Sequence, residues 1–539
     1  MGCCFTQNQG GTNDGTFITM RWYLYLLLGI SGLFLALIVS RFQPSPGYMD
    51  ADYYFAGGKQ LARGHGFSEM ILWNYLDNPI GLPHPSFAYW MPLASIIAAV
   101  GMAFTGSVSF MAAKSGFLLI AAFVPPLTAL LSYKLTSRPG LSLAAGLFAV
   151  FSGYYVPFLS ITETFGLYMI LGAIFFILIG IGMENNGIKN RLLISGCFGV
   201  IAGLVHLSRT DGLIWLIMAV IAILLLPKST NKSRLGSVLF VILGYALVMT
   251  PWYLRNLSVF GTLMAPGGNH ALWLTNYDET FSYPAGKLTF KYWFNSGWSA
   301  IINSRFGALK WNLQTAWAVQ GGIFLLPFTL IGAWQFRRDL RIQIGMIAWL
   351  STFSIMTLVF PFAGFRGGFL HSGAALQPLW WALVPVGIDG FIRWIEIKRK
   401  WRQGEAIKVF LVGFIGISVL MTGMIFYGRV YSASGWASES ARYRKVEDFI
   451  SQIPVSPDII VMVGNPPGYL NISDRPAISI PNENINTVIE VAHRYDAKFL
   501  VLEKDSVPAP LKSVYDKLSD SSSIQYLGEI DGARIFTFP

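Results

Sequence analysis

The sequence predicts a polytopic α-helical membrane protein with a small α/β domain at its C-terminal end. Of the 539 residues, 53% are hydrophobic and only 12% are charged, and the mean hydropathy is +0.51. A soluble chain of ordinary composition carries about 25% charged residues. Apolar runs close to the length of a membrane-spanning helix, about 20 residues, also recur through the first four fifths of the chain.

Twelve apolar runs are candidates for membrane helices, and they lie at residues 22–40, 87–106, 110–133, 141–160, 164–183, 191–205, 211–227, 235–254, 313–335, 342–361, 373–394 and 408–428. The first run is too long for the core of a signal peptide, and no small-residue cleavage site follows it. We therefore expect it to be retained as the first span.

Basic residues between the runs predict the orientation, because cytoplasmic loops are enriched in Lys and Arg. The clusters that we assign to the cytoplasm are Arg21, Lys134 with Arg138, Lys189 with Arg191, Lys228 with Lys232 and Arg234, Arg337 with Arg338 and Arg341, and 398–408. They agree with one another if residues 87–133 cross the membrane once in total. That arrangement predicts 11 transmembrane helices. The alternative is 12 helices, in which the basic clusters follow the preference for cytoplasmic loops less strictly.

This topology divides the chain into a cytoplasmic tail at 1–21, a transmembrane domain at 22–430 and an extracytoplasmic α/β domain at 440–539. The transmembrane domain then carries a first outer loop at 41–86 and a second, larger one at 255–312. In the C-terminal domain, DIIVMVG, AISI, KFLVLE and IQYLGEIDGARIFTF read as strands, and a helical pattern begins at Ile485.

The net charge of +11 does not indicate nucleic-acid binding, because the basic residues stand in short clusters between apolar runs. Three cysteines, two of them adjacent, give neither a disulfide framework nor a zinc spacing. The opening MGCC matches a lipidation pattern, but an unstructured tail or a misassigned start is the favoured interpretation.

The unusual polar residues collect on the predicted outer side of the membrane. They are Asp50, Asp52, Glu69, Asp77, His84, Glu163, His206, Arg209, Asp211, Arg255, His270, Arg366 and His371. Ionisable groups at membrane depth are costly and usually face a cavity or a substrate path. Their position on one side predicts a functional site at the outer interface.

Asp50 and Asp52 open a short amphipathic helix that ends near Gly64 and Gly66. One interpretation is helix capping, since a carboxylate suits the free N–H groups at a helix start. The other is a catalytic base or metal ligand, and the two interpretations can hold for different residues, with Asp52 near the cap and Asp50 facing the substrate.

The stretch resembles the first outer loop of the GT-C class of glycosyltransferases, which use polyprenyl-phosphate-linked sugars, among them the protein O-mannosyltransferases and the lipid A aminoarabinose transferases. The matching segments are MDADYY, LARGHGF, PHPSFAYWMPL, SITETFG, HLSRTDGLIWL, TPWYLRNLSVFG and FRGGFLHSGAALQPL. Each motif is weak by itself, but together they follow one order and lie on one side of the membrane. Ala51 stands where many relatives carry a second acid.

The resemblance implies catalytic carboxylates at Asp50, with Asp52 or Glu163 as the partner. A base near an acceptor hydroxyl and cations for a phosphate leaving group are what glycosyl transfer requires, so Arg209, Arg255 and Arg366 are candidates for binding the donor. Asp211, His371 and His84 complete the candidate substrate-binding set. Each of these residues also has a structural interpretation that needs no substrate. It is an interfacial anchor for Arg255, a salt bridge to Asp211 for Arg209, loop solvation for Arg366 and His371, and packing for His84.

No cofactor is firmly indicated, although Asp50 and Glu163 could hold a divalent cation such as Mg²⁺ or Mn²⁺. No histidine pair has the spacing of a zinc site.

The function predicted is an inverting glycosyltransferase of the cell (plasma) membrane that takes its sugar from a polyprenyl-phosphate donor. The acceptor would be a glycan, lipid or protein, at the outer face. Two alternatives are a transporter or flippase of lipid-linked sugars and a non-catalytic envelope assembly protein. Transporters place broken or polar segments near the middle of the membrane, whereas the notable acids here lie in the outer loops.

Overall fold

The computed structural model describes residues 20–184, 187–227, 231–399, 403–432, 435–517 and 524–538. The MGCC segment and nearly all of the predicted tail lie outside them. The described part of the first half forms α1 Trp22–Arg41, α2 Met49–Ala62, α3 Leu93–Thr105, α4 Phe110–Thr136, α5 Pro139–Val150, α6 Phe165–Glu184, α7 Ile188–Ser208, α8 Leu213–Leu225 and α9 Asn231–Phe260.

The second half is also mostly helical. Its helices are α10 Gly267–Ala271, α11 Phe290–Asn295, α12 Gly297–Gln314, α13 Leu326–Gln335, α14 Leu340–Ser354, α15 Pro361–Ala363, α16 Phe369–Gly373, α17 Gln377–Arg399, α18 Gln403–Phe426, α19 Ser438–Ile450, α20 Pro466–Ser473, α21 Ile485–Tyr495 and α22 Lys512–Lys517.

Within the described residues, eight helical segments are long and apolar enough to cross a membrane. They are Trp22–Arg41, Phe110–Thr136, Phe165–Glu184, Ile188–Ser208, Ser233–Phe260, Leu340–Val359, Pro361–Glu396 and Gly404–Tyr431. The chain is therefore a multi-pass membrane protein, as predicted. Four of the twelve apolar runs form shorter or interrupted helices, so the number of crossings stays a prediction.

Helix α3 is shorter than the apolar run at 87–106. It has 13 residues, which gives a length of about 20 Å, less than the hydrocarbon core of about 30 Å. Pro92 precedes the helix and Gly106 ends it in a left-handed conformation (φ +66°). This short helix fits the single crossing predicted for residues 87–133.

Small residues let the membrane helices approach closely. A Cβ at Gly199 of α7 would lie 2.0 Å from the carbonyl oxygen of Val241 in α9, and one at Gly244 of α9 would lie 2.2 Å from the carbonyl oxygen of Gly196. Close backbone contact of this kind stabilises helix pairs in lipid, where hydrophobic burial adds little.

The C-terminal α/β domain is built on a six-stranded sheet with the strand order β2-β5-β4-β6-β8-β7. Its strands are β2 Ile71–Leu72, β4 Ile460–Val463, β5 Ala477–Ser479, β6 Ala497–Glu503, β7 Gln525–Ile530 and β8 Ala533–Thr537. Neighbours among the first four in that order are parallel, and β8 is antiparallel to β6 and β7. The predicted strands, the hairpin and the helix at Ile485 are all present.

One strand of this sheet comes from the first outer loop, which the sequence did not indicate. Ile71 and Leu72 pair with Ala477 and Ile478 at the edge of the sheet. Nearby, β1 Ser68–Glu69 and β3 His84–Pro85 form a separate antiparallel pair. The first outer loop therefore joins the membrane helices to the C-terminal domain.

Candidate functional site

A cavity of about 610 Å³ lies where α2, the loop that follows α9, the chain around α15 and α16, and the C-terminal sheet meet. Its polar lining includes Asp50, Tyr89, Arg209, Tyr277, Asp278, Arg305, Arg366, His371, Asp505 and Ser506. Its volume lies within the range of about 300–1,000 Å³ that is usual for small-molecule sites.

Asp50 stands in the first turn of α2 and lines this cavity. Its side chain is 28% exposed, and its Oδ2 lies 3.9 Å from Nε2 of His371. Burial raises the pKa of Asp50 to about 7, with a further increase from Glu163 that Arg209 opposes. A carboxylate with a pKa near neutrality can accept a proton from a substrate hydroxyl.

Glu163 lies behind His371, in the turn before α6, and its side chain is fully buried. Tyr48 donates a hydrogen bond to Oε2 over 2.6 Å, and the backbone N–H of Thr164 donates to Oε1 over 2.6 Å. Nδ1 of His371 lies 3.6 Å from Oε1. Burial raises the pKa of Glu163 even though these hydrogen bonds favour its charged form.

A break in the helix on the second half of the chain brings His371 to these acids. A π-helical segment runs through Gly364–Gly368, and Gly367 has φ +108°, which favours glycine. The imidazole of His371 then stacks on Phe165, with 4.1 Å between ring centroids. His371 is thereby fixed between Asp50 and Glu163.

Asp50, Glu163 and His371 together form a group that could hold a metal ion. One ligand atom from each lies within 4.8 Å of the others. In the described part of the chain, the buried Nδ1 of His371 has no hydrogen-bond partner, which is what a missing ligand would leave. Two carboxylates and one imidazole suit first-row divalent cations such as Mn²⁺ or Zn²⁺ better than Mg²⁺, which prefers oxygen.

Cationic side chains line the cavity next to this group. Nε of Arg209 donates to Oδ1 of Asp211 over 3.0 Å, and Ser372 donates to the other oxygen of that carboxylate. The guanidinium of Arg366 lies 4.1 Å from the ring centroid of Tyr277. Both arginines are therefore oriented, Arg209 by an ion pair and Arg366 by an aromatic face.

Asp52, predicted as a possible partner of the catalytic Asp50, lies outside this cavity. Its carboxylate accepts hydrogen bonds from the side-chain amides of Asn465 (3.1 Å) and Asn471 (3.2 Å), near α20 of the C-terminal domain. It does not cap α2 either, because Tyr48 is the N-cap residue and no side-chain cap bond forms. Residues two apart on a helix point to nearly opposite sides.

His84 and Arg255 also lie away from the cavity, and both support the first outer loop. Nε2 of His84 lies 3.0 Å from the Asp77 carboxylate, and its other nitrogen faces Glu69. Arg255 donates to the carbonyl oxygens of Phe67 and Ser86 over 3.2 and 2.8 Å. Neither residue is positioned to bind a substrate in this cavity.

Several residues of the cavity were not predicted from the sequence. Arg305 lies on α12, inside a segment that the sequence shows only as part of a long loop. Asp505 and Ser506 follow β6 and line the cavity from the C-terminal domain. Gly464 and Ser506 are neighbours at the carboxyl ends of β4 and β6, and a crevice at that edge is the usual ligand site of such sheets.

Comparison with solved structures finds three informative likenesses. The archaeal oligosaccharyltransferase AglB from Archaeoglobus fulgidus, in complex with an inhibitory peptide and a dolichol-phosphate, matches at 12% identity and a TM-score of 0.57 over 92% of this chain and 71% of its own. ArnT from Cupriavidus metallidurans, bound to undecaprenyl phosphate, matches at 10% identity and a TM-score of 0.56. This match covers 96% of this chain and 98% of the ArnT chain. The chain has the GT-C fold.

The arabinofuranosyltransferase AftD from Mycobacteria has the same GT-C fold. It matches at 11% identity and a TM-score of 0.53, over 96% of this chain and 42% of its own. Another structure of the Archaeoglobus enzyme is a complex with Zn and sulfate. No protein-family model and no curated protein sequence matches the chain.

Proposed function

We propose that this protein is a glycosyltransferase that moves a sugar from a polyprenyl-phosphate donor to an acceptor hydroxyl on a glycan, lipid or protein. The observation that carries the proposal is one cavity in which a partly exposed carboxylate, Asp50, faces the same space as Arg209 and Arg366. The GT-C fold supports it, since AglB and ArnT are bound to dolichol-phosphate and undecaprenyl phosphate.

The arrangement suits a direct displacement at the anomeric carbon. The acceptor oxygen forms the new bond to that carbon while its proton passes to the Asp50 carboxylate. The bond from the carbon to the phosphate oxygen breaks, and the polyprenyl phosphate leaves with the electron pair. Arg209 and Arg366 would stabilise the charge on the leaving phosphate, because a guanidinium matches phosphate geometry. A single displacement inverts the anomeric centre.

Asp50, Glu163 and His371 would hold a divalent cation in this proposal. The ion would supply positive charge for the donor phosphate. Tyr48 and Thr164 orient Glu163 by hydrogen bonds, as supporting residues around metal ligands usually do. Chelation should abolish transfer by the purified protein, and Mn²⁺ should restore it. Unchanged transfer after complete removal of divalent metal would show that these residues act without an ion.

We further propose that this cavity and the C-terminal domain lie on the extracytoplasmic side of the cell membrane, on the evidence of the basic clusters. The active-site cavity and the sheet share one end of the helices, because Asp50, Asp505 and Ser506 line the same space. The acceptor would then be reached from outside the cell.

Replacing Asp50 with Asn tests the proposed base most simply, because the change keeps the size and removes the basicity. With a purified polyprenyl-phosphate sugar, Asp50→Asn should abolish turnover, and the matched Asp52→Asn variant should keep measurable activity. Near-normal transfer by Asp50→Asn would move the base to Glu163. Donor lipid that changes leaflet without any sugar transfer would favour the transporter alternative.

A further inference from the structure

A second cavity of about 310 Å³ lies on the opposite side of α2 from the first. It is enclosed by the chain after α1, α2, the turn between α3 and α4, α19 and α20. Its volume is at the lower end of the usual range for small-molecule sites. The proposed transfer reaction makes no use of it.

Two carboxylates share one hydrogen-bond donor in this cavity. Nδ2 of Asn465 donates to Oδ2 of Asp52 over 3.1 Å and to Oε1 of Glu439 over 3.2 Å. Among the described residues, neither acid forms an ion pair with a basic side chain. Burial raises the pKa of Glu439 to about 7, with a further increase from Glu503 that Asn465 and Arg442 oppose.

A third acceptor lies beside them. The side-chain amide of Asn471 donates to Asp52, while its own Oδ1 is buried and has no hydrogen-bond partner within the described part of the chain. An unmade bond of this kind costs about 1–3 kcal/mol. Two carboxylates and a free carbonyl oxygen match the three donors of a primary ammonium group.

Basic residues line the same cavity nearer the surface. Lys59 and Arg63 extend from the end of α2 and both contact Asp474, at 2.7 and 3.4 Å. Arg444 on α19 is exposed. Arg63 and Arg444 are therefore accessible to an anionic group at the cavity mouth.

The wall of the cavity continues into an apolar surface. Val108 lies in the turn between α3 and α4, and Phe110 is the first residue of α4. Exposed apolar side chains flank them on both helices, with Phe104 93% and Met111 60% exposed. In a membrane protein such side chains contact lipid.

We propose that this cavity binds the head group of an ethanolamine phospholipid from the surrounding bilayer. The ammonium would lie between Asp52, Glu439 and the Asn471 carbonyl, the phosphate would meet Arg63 and Arg444, and the acyl chains would follow the surface at Phe104 and Met111. A choline head group has no N–H to donate, and a glycerol head group carries no cation, so the site should select ethanolamine.

The proposal does not depend on the glycosyltransferase assignment, and lipid retention tests it. The purified protein is placed in nanodiscs that contain equal amounts of phosphatidylethanolamine and phosphatidylcholine, then released and weighed by native mass spectrometry. Phosphatidylethanolamine should be retained in preference by about tenfold. Equal retention of the two lipids by the wild-type protein would overturn the proposal.

Two variants assign the effect to this cavity. Glu439→Gln keeps an acceptor for Asn465 but removes a charge, and Arg444→Ala removes an exposed cation that forms no ion pair with another described residue. Glu439→Gln should reduce the preference to less than about threefold. Arg444→Ala should instead lower the retention of both lipids, because the phosphate is common to the two head groups. Glu490→Gln, on the exposed side of α21, is the matched control and should retain the full preference. A preference that survives Glu439→Gln, or lipid retention that Arg444→Ala leaves unchanged, would place the lipid elsewhere.

Competition with soluble phosphoethanolamine tests whether the cavity binds a membrane lipid or a soluble molecule with the same head group. At millimolar concentration it should compete poorly with the lipid, because it lacks the chains that follow Phe104 and Met111. Complete displacement of the lipid at equal concentration would show that the site serves a soluble ligand and would contradict the lipid assignment.

Discussion

Asp50 and Asp52 are separated by one residue on α2, and the fold gives them different surroundings. Asp50 faces the larger cavity with Arg209 and His371, whereas Asp52 faces the C-terminal domain through two asparagines. The sequence could predict that the two acids differ, because helix geometry separates such positions. It could not predict the partner of Asp52, which lies more than 400 positions away in the chain.

The arginines differ in the same way, and this yields a prediction. Arg209→Ala should lower kcat/KM with the lipid donor by about 30- to 150-fold, since a lost charge-assisted hydrogen bond costs about 2–3 kcal/mol. Arg255→Ala should instead lower the melting temperature and change kcat/KM less, because Arg255 binds loop carbonyls.

Steady-state kinetics and thermal unfolding of the two variants provide the measurement. Arg366→Ala serves as a second cavity variant, because Arg366 lies on an aromatic face rather than in an ion pair with a buried acid. A change of less than threefold in both Arg209→Ala and Arg366→Ala would mean that the donor phosphate is held by other groups.

Most helices and strands were predicted from the composition of the chain and from the periodicity of its apolar residues. The long apolar helices, α2, the strands of the C-terminal domain and α21 all form where the sequence places them. The edge strand at Ile71 and Leu72 was not predictable, because two residues are too few to show the alternating pattern of a strand. Their partner β5 is also distant in the chain.

The interrupted helices show a second limit of sequence analysis. The apolar run 313–335 contains a turn between its π-helical segment and α13, and the chain around Gly367 leaves the regular helix before α16. A hydropathy window averages across such breaks, so it did not show the turn inside the run 313–335. The loop that carries Arg366 and His371 was predicted, because it lies between the runs 342–361 and 373–394, but the kink at Gly367 was not.

The whole molecule brings two halves together around one cavity, and its orientation in the membrane is a prediction of the charge pattern. In a protein without Cys3, Cys4 and Cys197, Lys498→Cys on β6 should react with an impermeant maleimide applied to intact cells. Arg338→Cys, in a predicted cytoplasmic loop, should react only after permeabilisation. The opposite labelling pattern would reverse the orientation and the proposed side of the reaction.

The location of a bound polyprenyl phosphate decides whether sugar transfer takes place in the larger cavity. A cryo-EM structure of the protein with that lipid should show phosphate density in the cavity of about 610 Å³ beside Asp50. The phosphate oxygens should lie about 2.7–2.9 Å from guanidinium nitrogens of Arg209 or Arg366, as in charge-assisted pairs. Phosphate density confined to the second cavity, or beside Arg255, would contradict the assignment of this cavity as the site of sugar transfer.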